Sequence, residues 1–308
     1  MRRTSRNRVR VKRMGVSRTL LLRGLATFPA RWRNSVLRLS WRHPALRRVV
    51  GFAAGRLRNG DLEIQEGLGQ GLRFNTGGSA ASFVMGWSQQ PEQLALRAML
   101  SAGVAFYDVG ANVGFFTIIA ARLLGPAGRI FCFEPLPENY RQIRHNAMLN
   151  SFTNIEIIGT ALGSFDGEAS FWTSAEPTWG KLVSTGKVPD KMTGEIKVPV
   201  RRLDGIVAES RLPPPDAIKI DVEGAEVDVL LGATETLRRY RPRLLIELHG
   251  TNAAVAQLLS ELEYKTAVVG DSASIIEAHW NASVVAIPSE AQWLDGLPAR
   301  SLNGSAVG

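Results

Sequence analysis

The chain has 308 residues, 37 Lys and Arg against 28 Asp and Glu for a formal net charge of +9, and 45% hydrophobic residues, enough for a packed core. This composition excludes collagen-like, coiled-coil and wholly disordered chains, and the single cysteine, Cys132, excludes a disulfide framework or a cysteine-rich zinc cluster. One thiol fits a reducing compartment, so a cytoplasmic location is expected, and no uncharged apolar run reaches the ~18–20 residues of a membrane-spanning helix.

The charge is uneven along the chain. Residues 1–60 hold 17 Lys and Arg and no acid, which leaves the remainder with 20 basic and 28 acidic residues, a net of −8. Residues 1–18 are too charged to pack. Residues 19–58 interleave apolar and basic positions, as in Trp32-Arg33 and Trp41-Arg42, the pattern of an amphipathic helix cut by Pro29 and Pro44. This basic N-terminal extension, 1–60, is expected to be part disordered and part helical. It suits packing on the body or peripheral contact with an anionic membrane surface. Basic charge alone would also attract nucleic acid, a partner that the motifs of the body disfavour.

From about residue 100 short apolar runs alternate with helical spacing. Residues 104–109 read as a buried strand bounded by Gly103 and Gly110, and 113–124 as a helix stopped by Gly125-Pro126. The pattern continues with strands at 129–133 and 155–158 and a helix at 137–150. Strands at 168–172 and 196–200 flank a polar loop, 174–195, long enough to read as a substrate lid carrying Trp179 and Lys181. A strand at 217–220, a helix through 231, a strand at 244–248, a helix at 252–262 and strands at 264–269 and 283–287 complete the body. Such alternation implies an α/β domain, 61–288, with a mostly parallel sheet covered by helices on both faces. Residues 289–308, rich in Gly, Ser and Ala, are expected to form a flexible tail.

The chemistry concentrates where the first strand meets its helix, at Asp108-Val-Gly110-Ala-Asn112-Val-Gly114. Open α/β sheets bind ligands at such strand-to-helix turns. The glycines allow a tight turn and approach to bare backbone. Glu134 ends the next strand, where a carboxylate can accept from both hydroxyls of a ribose. The loop lacks the G-x-G-x-x-G spacing of dinucleotide sites, and an acid beside a diphosphate repels it. Beside a sulfonium or an ammonium group the acid attracts, so S-adenosyl-L-methionine fits and a nicotinamide dinucleotide does not. Helix capping is the structural alternative for Asp108 and for Asp221-Val-Glu223-Gly224-Ala-Glu226.

Residues 106–117, FYDVGANVGFFT, resemble the first motif of class I methyltransferases in the form typical of the FkbM family. Phe133-Glu134-Pro135, Asn154 to Gly163 with Asp166-Gly167, Ile218-Lys-Ile-Asp-Val-Glu-Gly-Ala-Glu226 and Leu244-Leu-Ile-Glu-Leu-His249 resemble its further segments in the family's order. The resemblance implies a Rossmann-like class I methyltransferase fold, a mostly parallel seven-stranded sheet with an antiparallel last strand. It implies binding of S-adenosyl-L-methionine and, usually, O-methylation of a hydroxyl on a sugar, polyketide or similar small metabolite. Asp108, Gly110, Ala111, Asn112 and Gly114 would line the methionine half of the cofactor, Glu134 its ribose, and Thr160 and Ala161 its adenine.

Asp221, at the end of a central strand, is expected to orient or deprotonate the acceptor hydroxyl, or to hold a divalent metal with Glu247. His249 is the general-base candidate by residue type. Two other readings stay open on the sequence: a non-catalytic binding module on the same fold, and a nucleic-acid methyltransferase. The latter is disfavoured because Asp221-Val-Glu-Gly replaces the Asn/Asp-Pro-Pro-aromatic signature of adenine-modifying enzymes, and because Cys132 lies inside a strand rather than after one.

Overall fold

The computed structural model describes residues 60–86, 88–174, 180–182, 192–209 and 212–294, all within a unit spanning Arg58–Gly308. The basic extension, Trp179 of the expected lid and most of the C-terminal tail lie outside the described residues. Of Lys181 only the backbone, in a short strand, is described.

Seven strands form the central sheet, and all of them were legible as apolar runs. They are β3 (Ala105–Val109), β4 (Arg129–Phe133), β5 (Ile155–Ile158), β10 (Ala217–Ile220), β11 (Arg243–Glu247), β12 (Tyr264–Val268) and β13 (Ser283–Pro288), numbered along the chain. Their order is β12-β13-β11-β10-β3-β4-β5. β13 runs antiparallel to both neighbours, and the pairs from β11 to β5 are parallel. Every residue of β3 and β10 is buried, as expected of central parallel strands covered on both faces.

Helices supply that cover. α3 (Phe115–Leu124) follows β3 and is apolar almost all round, with eight of its residues buried; a helix buried on every side needs that composition. α4 (Pro137–Leu149) follows β4, and α8 (Asn252–Glu261) follows β11. Shorter helices intervene: α5 (Leu203–Ala208) precedes β10, while α6 (Glu226–Leu231) and α7 (Thr234–Tyr240) follow it. Ahead of β3 stand a two-residue pair, β1 (Leu62–Glu63) and β2 (Arg73–Phe74), and the helices α1 (Ser82–Met85) and α2 (Gln90–Met99).

The runs expected at 168–172 and 196–200 are longer, β7 (Gly167–Ser174) and β9 (Met192–Arg201), and pair antiparallel. With β6 (Ala161–Leu162) and β8 (Gly180–Leu182) they make a separate four-stranded sheet, not part of the central one. Phe171, Val198 and Val200 alternate inward to form a small second core with Leu136, Ala161 and Ala225. That cluster fixes one wall of the crevice described next.

Candidate active site

An open crevice lies beyond the carboxyl ends of β3, β4 and β10, lined by Gly110, Asn112, Glu134, Asn139, Ala161 and Asp221 among others. It stands where the strand order reverses, since the chain leaves β3 for β4 on one side and returns to β10 on the other. Ligands of open α/β sheets bind at this switch.

The turn after β3 is a seam between strand ends. Gly110 has φ +78°, and a Cβ there would stand 1.9 Å from the backbone oxygen of Asp221. Only glycine lets the turn and the end of β10 converge, and the Gly110 N–H donates to the Phe133 carbonyl at 2.9 Å. Gly114 (φ +83°) caps α3, and a Cβ on it would press on Ile143 of α4 at 3.2 Å. Close approach of protein to protein, more than of ligand to backbone, accounts for both glycines.

Glu134 follows β4 and is buried. Its Oε2 accepts the Asn112 N–H and its Oε1 the Leu136 N–H, both at 2.9 Å. Burial pushes its carboxyl up to about 7, against the lowering effect of bonds from Leu136, Asn139 and Asn112. Each oxygen retains acceptor capacity. Asn139, in the first turn of α4, also lines the crevice, and its buried Oδ1 has no hydrogen-bond partner among the described residues. An unpaired buried amide oxygen beside a buried carboxylate is a fitting place for ligand hydroxyl donors.

Of the expected cofactor residues, Gly110, Asn112, Glu134 and Ala161 line the crevice; Asp108, Ala111, Gly114 and Thr160 do not. Thr160 is buried and gives its hydroxyl to the Pro199 carbonyl at 2.9 Å. Asp108 is fully buried in β3. Its Oδ2 accepts from the Thr117 hydroxyl at 2.6 Å, and its Oδ1 has no hydrogen-bond partner among the described residues. Burial raises its carboxyl, and Lys219 and Thr117 partly counter that. Neither Asp108 nor Asp221 caps a helix, because Gly114 caps α3 and Ala225 caps α6. Cys132 is a packed thiol beside Thr117, its titration pushed well up by burial.

Lys219 is the residue that motif reading passed over. It stands in the middle of β10 opposite Asp108, with Nζ 3.0 Å from Asp221 Oδ2 and 4.8 Å from the Phe116 ring centre. Burial alone would lower its titration, but Asp221, Asp108 and Glu247 outweigh burial and raise it. The available signal was a lysine inside an otherwise apolar strand, since a fully buried lysine requires paired charge.

At the carboxyl ends of β10 and β11, Asp221, which lines the crevice, and Glu247 and His249, which do not, each bring one atom within 4.8 Å of the others. That spacing would suit a divalent cation, although the Lys219 ammonium already neutralises Asp221. Gln89 donates to Glu247 at 2.6 Å. Burial and the nearby Asp221 push the Glu247 carboxyl up to about 7 against Lys219 and His249. His249 Nδ1 lies 2.9 Å from Oε1 of the fully buried Glu226, and Nε2 lies 3.5 Å from Glu223. Glu226 is itself fixed by the Gly224 N–H and the Thr251 hydroxyl, both at 2.8 Å. Burial would lower His249, but Glu226, Glu223 and Asp221 outweigh it and hold the imidazole at about 9.

The FkbM methyltransferase domain matches residues 108–267. Hexuronic acid methyltransferase AglP of Haloferax volcanii is 30% identical over 164 residues, 53% of this chain and 64% of that protein. The 2-O-methyltransferase NoeI of Sinorhizobium fredii is 30% identical over 148 residues, 44% of this chain and 59% of that protein. The chain therefore covers less than two thirds of either relative. A solved FkbM methyltransferase from Methylobacillus flagellatus aligns with a TM-score of 0.43 and 18% identity over 67% of this chain and 52% of that one. On the domain match, which takes in the glycine turn, Glu134 and the Asp221–His249 cluster, the chain belongs to the FkbM methyltransferase family.

Proposed function

We propose that the protein is an S-adenosyl-L-methionine-dependent O-methyltransferase acting on a hydroxyl of a sugar, polyketide or similar small metabolite. One observation carries the reading. A single crevice is lined by ribose-type acceptors, Glu134 and Asn139, and by Asp221, whose carboxylate belongs to a half-buried cluster with Lys219, Glu247 and His249. The names of the two relatives, one a hexuronic acid methyltransferase and one a 2-O-methyltransferase, support a hydroxylated acceptor.

Glu134 and Asn139 would hold the ribose hydroxyls, and the Gly110–Asn112 turn would border the methionine part. Bound there, the cofactor supplies a methyl group already activated on a sulfonium. What remains for the protein is alignment of the acceptor oxygen, exclusion of water and acceptance of one proton. Lys219 fixes the Asp221 carboxylate at the crevice wall, where it orients the acceptor. His249, held charged by Glu226 and Glu223, has no free lone pair at neutral pH and so donates rather than accepts. Glu247, poised near 7, is the better-matched proton acceptor. On this reading Glu247 takes the role of base that residue type alone gives to His249.

The test is transfer of a labelled methyl group from S-adenosylmethionine to a panel of glycosides and polyketides. Turnover that E247Q lowers by about 10²–10⁴-fold agrees with the assignment. Binding of the cofactor with no turnover on any acceptor would leave a non-catalytic module.

A further inference from the structure

The cluster at the carboxyl ends of β10 and β11 has an aromatic neighbour that no motif includes. Trp280 stands three residues before β13, whose first residue, Ser283, pairs with Glu247 at the end of β11. It is thus carried beyond the carboxyl edge of the sheet, on the side of His249. The position is pinned: the Gly250 N–H donates to the Trp280 carbonyl at 2.7 Å, the Ala282 N–H to the His279 carbonyl at 2.9 Å, and the Asn252 amide to the Ala278 carbonyl at 3.0 Å. The indole meets two imidazoles, edge-on to His249 with ring centres 6.3 Å apart and tilted against His279 at 6.0 Å. It is nevertheless 58% exposed, while His249 behind it is nearly covered.

We propose that Trp280 is the outer wall of the acceptor subsite, stacking the apolar C–H face of a saturated sugar ring whose hydroxyl points inward to Asp221 and His249. The inference rests on the methyltransferase reading and narrows its substrate class. An indole on a backbone held in place offers a flat apolar surface. Next to it stands His249, which ties it to a cluster with Glu223, Asp221 and Glu247. One apolar plane beside several acceptors and a donor matches a ring with apolar faces and a polar rim. A wholly apolar acceptor would take water from those groups and return no hydrogen bond to them, and a phosphate backbone would meet three carboxylates.

The experiment uses the full chain saturated with S-adenosylhomocysteine and a panel of uncharged methyl glycosides, beginning with methyl α-D-glucopyranoside, read by saturation-transfer NMR. The expected result is transfer onto ring C–H protons of at least one glycoside, with affinity about tenfold weaker in W280A and partly kept in W280F, the scale of an aromatic stacking contact. Unchanged transfer in W280A, or no transfer from any glycoside to the wild type, overturns the proposal. The melting shift given by S-adenosylhomocysteine separates the two claims. Its presence in wild type and W280A alike keeps the methyltransferase reading whatever the glycosides do, and its absence from every form sinks that reading instead.

Discussion

Glu134 and Glu226 are both buried acids near the crevice, yet their surroundings assign them opposite tasks. Glu134 carries a raised titration, about 7, because burial outweighs its backbone donors. Ligand hydroxyls prefer the ionised form, since charge-assisted bonds are stronger. Cofactor affinity should therefore tighten as pH rises through 7 and flatten in E134Q, which calorimetric titration between pH 6 and 8 will show. Glu226 has its oxygens engaged by Gly224, Thr251 and His249 and stands as a positioning residue behind the imidazole. In E226Q the His249 titration, followed by NMR, should fall from about 9 by roughly one to two units. A value unmoved from about 9 would remove Glu226 from that role. Glu134 could be placed from the motif order alone. Lys219 and Trp280 could not, because their significance comes from neighbours distant in sequence, Asp108 on β3 and His249 beyond β11; Asn139 stands five residues after Glu134 but carries no motif signal of its own.

At the scale of elements, the strands at 129–133, 155–158 and 217–220 fall where the sequence places them. Continuous apolar runs between Gly, Pro or acidic punctuation are what buried parallel strands require, and no tertiary detail is needed to see them. The second sheet and the N-terminal β1–β2 pair were not so legible. Two-residue strands carry no periodicity, and the assignment of β7 and β9 to a separate sheet depends on which face Phe171, Val198 and Val200 bury. Helices α5 and α7, of six and seven residues, are too short to show a clear helical stripe. The junction of β3 with β10 makes a sharp prediction. G110A places a methyl carbon 1.9 Å from the Asp221 carbonyl at a left-handed φ, so it should destabilise the fold by about 3 kcal/mol or more and lower the melting temperature accordingly. A variant that melts with the wild type would show that the strand ends are not so tightly joined.

Over the whole molecule the shifted groups act in one direction above pH 4.5. Glu134 and Glu247 are raised to about 7, so stability is fully present below about 4.5 and is lost as pH rises through 7. His249 is raised from 6.5 to about 9, so its contribution is present below 6.5 and lost as pH rises through 9. Asp166 and Glu290, lowered to about 2 by Arg202 and Arg241 respectively, favour the fold above about 4 and cease to do so as pH falls through 2, but both are solvated and weak. The ligand-free protein should accordingly melt highest near pH 5 and progressively lower toward pH 9, with a smaller decline in H249Q. A melting temperature that climbs between pH 6 and 9 would contradict this charge distribution.

The central claim is that the crevice closed around Gly110, Glu134 and Asn139 is built for an adenosyl sulfonium and not for a dinucleotide. Isothermal titration of the wild type and E134A with S-adenosylmethionine and with NAD tests it directly. The expected result is saturable one-to-one binding of S-adenosylmethionine, a loss of at least about tenfold in E134A from two charge-assisted bonds, and no heat from NAD. Equal binding of S-adenosylmethionine by both proteins, or tighter binding of NAD, would contradict it.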